Sequence, residues 1–276
     1  AAVVFTTSAI AQKDETAKKS DTIKVGNFVI IKKKGAKGSS NSTVTVGNEK
    51  ETIVKKKKNQ STNWWILDLG FANLRDETNY ASAQAGSYLR KFGTQPAVDK
   101  NSMKLNTGKT SNVNIWFFMQ KLNITNHVLN LKYGLGMEMY NFRYDGNISY
   151  RKNGSNFYVF NDSANFSKNK LMAGYLTMPL MLNVNTTPNK KKGFSFSAGV
   201  SAGYLIKSRN KQISDERGKI RYNGNFDLQP FRLAAIGEIG IGGVRLYGSY
   251  SFNALHEKGT MLQQYPYAVG IRLSSF

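Results

Sequence analysis

The chain has 276 residues, with 39 Lys and Arg against 17 Asp and Glu, a formal net charge of +22, two His and no Cys. The absence of Cys excludes disulfides, a thiolate metal site and a Cys nucleophile, and His127 and His256 alone leave little for a His-based metal or triad site. No stretch approaches the ~18 consecutive apolar residues of a membrane-spanning helix, but a spanning β-barrel leaves a weaker signature and stays open.

In chain order, Ala1 to Ile10 carry no charge, and Ala9-Ile10-Ala11 before Gln12 has the small-x-small pattern of a signal-peptide cleavage site. Residues 1–11 are expected to be the remnant of such a signal, with the chain beginning inside it. Net charge alone would raise nucleic acid as a partner, yet an exported chain is a poor candidate, so no nucleic-acid partner is expected. Residues 12–63 form a polar, basic tail, with 13 Lys against 5 acids between residues 13 and 58. Of two alternating stretches in it, Thr22 to Ile31 contains Val25-Gly26-Asn27 and Ser42 to Val46 runs into Val46-Gly47-Asn48. Either they pair as a small hairpin or the tail is solvated and flexible, because runs such as Lys55 to Lys58 repel themselves.

From Trp64 to Phe276 the pattern is period-2 alternation, which places successive side chains on opposite faces of a strand. Phe194 to Lys207 is the clearest case. Phe194, Phe196, Ala198, Val200, Ala202, Tyr204 and Ile206 share one face; Ser195, Ser197, Gly199, Ser201, Gly203 and Lys207 share the other, with Leu205 as the exception. Seven further segments alternate likewise, around Trp65–Ala72, Asn112–Gln120 (broken by Trp116 and Phe118), Leu129–Met139, Leu176–Asn185, Phe231–Ile241, Val244–Asn253 and Tyr267–Ser274. The connections alternate in length: Leu74–Thr110, Asp145–Lys168, Ser208–Leu228 and Ala254–Gln264 are long, whereas Thr125-Asn126, Thr186–Lys192 and Gly242-Gly243 are tight. An even strand number with long loops on one side is the layout of a bacterial outer-membrane barrel. The expected fold is all-β: an eight-stranded antiparallel up-and-down transmembrane barrel over residues 64–276, in the outer membrane, with the basic tail in the periplasm.

The minority face carries Asp68, Lys132, Glu138, Lys207, Arg232, Glu238, Arg245 and Arg272. In a membrane barrel these face inward and form an ion-pair network in a lumen just wide enough to be filled by side chains. Aromatics near strand ends (Trp64, Trp65, Tyr140, Phe142, Tyr144, Phe194, Tyr265, Tyr267) are expected to form the membrane-interface girdle. Outer-membrane lipid and lipopolysaccharide are then expected partners, the latter through basic outer loops.

These residues resemble the outer-membrane β-barrel family of Bacteroidetes that includes PorT-like proteins. The resemblance rests on Asp21-Thr22-Ile23-Lys24-Val25-Gly26-Asn27, on Asn63-Trp64-Trp65, on Tyr175 to Leu182, on Tyr265 to Ile271 and on Pro230-Phe231-Arg232. It covers nearly the whole chain, and its motifs are structural rather than catalytic. It implies an accessory of protein secretion or outer-membrane assembly, with a protein partner in the envelope. The terminal aromatic departs from the pattern: Leu273 and Ser275 share the lipid-facing register and Phe276 falls on the other.

Chemistry-bearing motifs are sparse. Gly108-Lys109-Thr110 is followed by a strand instead of the helix of a P-loop, and Gly240 to Gly243 lacks the third Gly of a dinucleotide fingerprint. His256, beside Glu257, reads as a solvated loop residue and His127 as part of a turn; the carboxylates read as partners of interior cations. No catalytic, cofactor-binding or metal residue is assigned. Asp162-Ser163-Ala164 resembles the Asp-Ser/Thr-apolar sites of Bacteroidetes O-glycosylation, which marks Ser163. The expected function is that of a non-enzymatic envelope structural or interaction protein; a small porin-like channel is the alternative, and a lipid A-modifying enzyme is the third reading.

Overall fold

The computed structural model describes residues 21–25, 28–32, 58–154, 156–188, 193–241 and 244–273. The signal remnant, the Ser42–Val46 stretch, Lys190 to Lys192 and Phe276 lie outside the described residues. The chain divides into two compact units, 1–57 and 58–276. In the first, Asp21–Val25 pairs antiparallel with Phe28–Lys32. A hairpin thus forms within the first of the two tail stretches; the second lies outside the described residues.

The second unit holds eight long strands: β1 (Gln60–Asp76), β2 (Ser111–Thr125), β3 (Leu129–Tyr144), β4 (Phe166–Asn185), β5 (Phe194–Ser214), β6 (Phe231–Ile241), β7 (Val244–Ser251) and β8 (Gln264–Leu273). Each is antiparallel to its neighbours in sequence, and β8 pairs with β1, from Gln264↔Asp76 to Leu273↔Leu67, which closes the ring. Closure leaves no sheet edge within the ring, the condition for strands in lipid. The first strand starts at Gln60, four residues before the sequence boundary. The turn between β2 and β3 has Asn126 and His127 at φ of 49° and 58°, with Val128 N–H donating to Thr125 O (2.9 Å). Such a turn matches the strand twist.

The faces follow the alternation. Leu67, Leu69, Phe71, Met178, Leu180, Leu182, Leu233, Ile239, Leu246, Val269 and Ile271 stand exposed around the wall. Charged and small polar side chains point inward and are buried. This inversion of the usual globular pattern is the mark of a barrel solvated by lipid.

The alternation slips at register shifts, two of which explain exceptions in the sequence. Phe117 is the extra residue where β2 shifts against β3, between the pairs Trp116–Gly136 and Phe118–Leu135, and Trp65, at φ 55°, lies opposite it with the β1–β2 register unchanged, so Trp64, Trp65, Phe117 and Phe118 all turn outward. They pair as Trp64–Phe118 and Trp65–Phe117, with ring centroids 5.8 and 5.9 Å apart. Trp116 then falls inside. The other shift, between the pairs Gly174–Lys207 and Tyr175–Leu205, moves the inward positions of β5 from Ser201 and Gly203 to Ser208, Asn210 and Gln212. A bulge adds one residue to one strand only, so parity reverses beyond it.

On the long-loop side, β5 continues past β6 and pairs with the strand Gly218–Asn223, making a four-stranded flange with β3 and β4. A helix at Tyr80–Ala85 and a hairpin of Ile148–Asn153 with Asn156–Asn161 fill the space inside it. The hairpin is pinned to the flange: Asn169 Nδ2 and Gln212 Nε2 donate to Ile148 O at 2.6 and 3.0 Å.

Candidate functional site: a filled lumen under a folded cap

The lumen is the only region where charged groups converge in the dry interior of the barrel among the described residues. Asp68 on β1 accepts from Arg272 of β8 (Nε to Oδ1 2.6 Å, Nη2 to Oδ2 2.7 Å), from Trp116 Nε1 (2.7 Å) and from Asn114 Nδ2 (3.2 Å). Glu238 of β6 pairs with Lys132 of β3 and with Arg272. One step toward the long loops, Glu138 pairs with Arg232 (2.6 Å), whose Nε donates to Ser251 Oγ (2.8 Å) and Nη2 to Tyr140 Oη (2.6 Å). Arg245 Nη1 donates to Ser195 Oγ at 2.9 Å. All seven of these charged side chains are buried. These contacts draw on seven of the eight strands through side chains alone, and a buried charge deprived of its partner is strongly destabilising.

Glycine makes the room. Gly70 and Gly270 face each other across the β1–β8 seam, and Tyr247 lies over them. A Cβ on Gly70 would stand 2.6 Å from Tyr247 Oη and 2.5 Å from Val269 O. Gly136 likewise admits the Trp116 ring, 2.7 Å from where its Cβ would be.

Two sets of residues differ from the sequence expectation. Lys207 lies on the exposed outer face, turned out by the β5 bulge, and is not part of the interior network. Tyr140 and Tyr144 point inward and are buried, as does Phe142, because β3 keeps strict alternation and all three share parity with Glu138. They do not belong to a lipid-facing girdle. Trp64, Trp65, Phe194 and Tyr267 are exposed on the wall, and Tyr265 is partly exposed. The lumen also contains residues that the sequence reading passed over: Asn114, Trp116, Thr177, Tyr247 and Ser251. Trp116 had one visible signal, its position on the polar face.

Above the ion pairs the lumen turns apolar. Tyr140 stacks on Phe142 with centroids 5.7 Å apart and meets Tyr175 edge-on. This layer is continuous with a core formed by the loops, among them Tyr88, Leu89, Val98, Met103, Ile148, Tyr150, Val159, Phe226 and Leu255. Buried Asp162 locks the cap: Arg217 reaches it with both Nη1 and Nη2 at 2.8 Å and Ser149 Oγ donates at 2.6 Å. These hydrogen bonds outweigh burial and hold the Asp162 carboxyl down at about 2. Ser163 beside it is exposed.

His256 is inside this cap instead of in solvent. It is 2% exposed, packs edge-on against Tyr88 (centroids 5.8 Å), and neither ring nitrogen has a hydrogen-bond partner among the described residues. Burial pushes its pKa down to about 3, so the ring is neutral. The segment Leu255 to Leu262 is mostly polar, with Glu257 and Lys258 next to the His, and gives no sign of this burial in the sequence.

A closed antiparallel ring with a polar filled interior and an apolar wall defines a membrane barrel. Residues 79–257 match the family of outer membrane protein β-barrel domains, and the chain belongs to that family. It is an outer-membrane protein. Among solved structures it is similar to Ail, the attachment invasion locus protein of Yersinia pestis, at 10% identity over 79% of this chain and 100% of that one, with a TM-score of 0.30. No curated protein matches the sequence.

Proposed function

We propose that this barrel is a sealed, non-enzymatic platform whose folded cap, on the long-loop side, presents a surface to a protein partner in the envelope. The observation that carries this reading is the continuity of filling. The Asp68–Arg272–Glu238–Lys132 network occupies the lumen, and the Tyr140, Phe142 and Tyr175 layer joins it to the cap core. A chain that spends its loops on a packed core rather than on loose coils holds a defined shape for recognition. The resemblance to PorT-like barrels of Bacteroidetes gives the specific version: an accessory of protein secretion or outer-membrane assembly, with the basic tail of residues 12–63 in the periplasm. An enzymatic role on lipid would need a base at the membrane rim, and His256 is enclosed in the cap instead.

Planar-bilayer recordings on the refolded protein test the sealed barrel. No stable openings are expected; sustained ohmic conductance would instead establish the porin-like alternative. The platform is tested by crosslinking and native purification from solubilised outer membranes. A defined partner should be recovered with the native chain and lost when exposed Arg90 and partly exposed Tyr158 of the cap are substituted. Retention of the same partner by those variants would remove the cap as its docking surface.

A further inference from the structure

The outer face of the flange carries a feature that the lumen network does not use. Arg143 of β3 stands directly opposite Lys170 of β4, Lys170 opposite Lys211 of β5, and Lys211 opposite Arg221 in the strand Gly218–Asn223. Directly paired residues of an antiparallel sheet share a face with Cβ atoms ~4.5–5.5 Å apart, so four cations form one row across four strands. Lys168 and Lys219 flank the row on one side, both opposite Ile213, and Arg209 flanks it on the other. Among the described residues none of these seven takes part in an ion pair. Lys170 Nζ donates to Asn141 Oδ1 (2.7 Å) and Arg143 Nη2 to Ser167 O (2.5 Å), both neutral acceptors.

Like charges directly opposed across strands destabilise a sheet. The interior of the same barrel pairs Lys132, Arg232 and Arg272 with three carboxylates, so the unmatched row calls for an anion from outside. Its surroundings identify the class. Lower on the same two strands the wall is apolar, with Leu176 and Met178 on β4 and Tyr204 and Ile206 on β5 all exposed. The surface is therefore amphipathic along the strand direction: cations at the long-loop rim, aliphatic and aromatic groups below. A soluble anion would satisfy the first part only.

We infer that the row Arg143–Lys170–Lys211–Arg221 is a binding site for the phosphates of an acylated, phosphorylated glycolipid of the outer leaflet, with its acyl chains lying on β4 and β5. Guanidinium and ammonium groups are the donors suited to phosphate. The row is ~15 Å long from its pair spacing, room for more than one phosphate. The inference rests on the long loops facing the cell exterior.

The test uses the full chain refolded in dodecyl maltoside and diphosphorylated hexaacyl lipid A as probe. Bound lipid is read by mass spectrometry after gel filtration, and the thermal midpoint is read alongside. The native chain should retain lipid A and be raised in midpoint by it. Lys170→Gln with Lys211→Gln should bind at least tenfold more weakly, yet be as heat-resistant as the native chain or more so without lipid. Lys170→Arg with Lys211→Arg should bind like the native chain. Equal binding by the Gln variant, equal binding of dephosphorylated lipid A or of phosphatidylglycerol, or full displacement by inorganic pyrophosphate would each overturn the assignment. Heat-modifiable migration, shared by all these proteins, separates loss of the site from loss of the barrel. A Lys219→Cys variant should react with an impermeant maleimide on intact cells. Failure to label would overturn the outward orientation, and with it the outer-leaflet assignment, even with lipid A binding intact.

Discussion

Arg272 on the last strand clasps Asp68 on the first, with Nε to Oδ1 at 2.6 Å and Nη2 to Oδ2 at 2.7 Å, across 204 residues of sequence. The pair sits on the seam that closes the barrel, and the same guanidinium reaches Glu238 on β6. One side chain thus joins β8 and β1 to β6, a strand that the backbone ladder pairs with neither.

Removing Asp68 should therefore loosen the seam. Asp68→Ala leaves Arg272 short of a partner and Trp116 Nε1 without its acceptor, and a buried pair broken from one side costs about 3–5 kcal/mol. Urea titration of the detergent-folded barrel, followed by heat-modifiable migration, measures this. A midpoint equal to the native one would show that Glu238 alone suffices for Arg272.

Gly70 should tolerate no side chain. Its Cβ would press on Val269 O and on Tyr247 Oη, and overpacking typically costs about 1–3 kcal/mol. Gly70→Ala is expected to lower the unfolding midpoint. Gly259→Ala, where nothing lies within 4 Å of the added atom, serves as control and should be neutral. Equal midpoints for the two variants would contradict the packing described here.

The Asp162–Arg217 lock should give the cap an acid limit. The carboxyl of Asp162 is held at about 2, below its ordinary 3.8. A carboxylate with a depressed folded pKa contributes stability above the unfolded value and loses it as pH falls through the folded one. Protection in the hairpin of residues 148–161, after allowance for the intrinsic pH dependence of exchange, should begin to fall below about pH 4 and go on falling toward pH 2. Arg217→Ala should speed exchange already at neutral pH; unchanged protection would show that Ser149 and the apolar core hold the hairpin without the lock.

His256 works in the opposite range. It is neutral when folded, with its pKa at about 3, and protonates near 6.5 once exposed. Between those values the open cap binds the extra proton, so cap stability falls as pH drops from about 6.5 toward 3. Limited proteolysis of the loops should be faster at pH 5 than at pH 7.5 in the native chain, and the difference should shrink in His256→Leu. An undiminished difference would assign the pH dependence to other groups.

The wall of the barrel was legible in the sequence because a strand side chain has only two directions. Lys132, Glu138, Arg232, Glu238, Arg245 and Arg272 could be placed inside from parity alone. Parity failed where a bulge reset it. Lys207 was misplaced because no residue type announces the extra residue at Ile206. Tyr140 and Tyr144 were misplaced because an aromatic near a strand end suits a lipid interface and a lumen equally, and only the unbroken alternation of β3, set by its pairing with β2 and β4, chooses the lumen.

What the sequence determined by itself is therefore local and periodic: eight strands, their two faces, the alternation of long and short connections, and an apolar wall that demands lipid. What the tertiary structure alone decided is which distant groups meet. The loops read as polar connections, yet Tyr88, Ile148, Phe226 and His256 come together in one buried cap. Arg143, Lys170, Lys211 and Arg221, each unremarkable in its own segment, stand in one row. Both depend on register across strands far apart in sequence, and register is set by the closure of the ring rather than by any single segment.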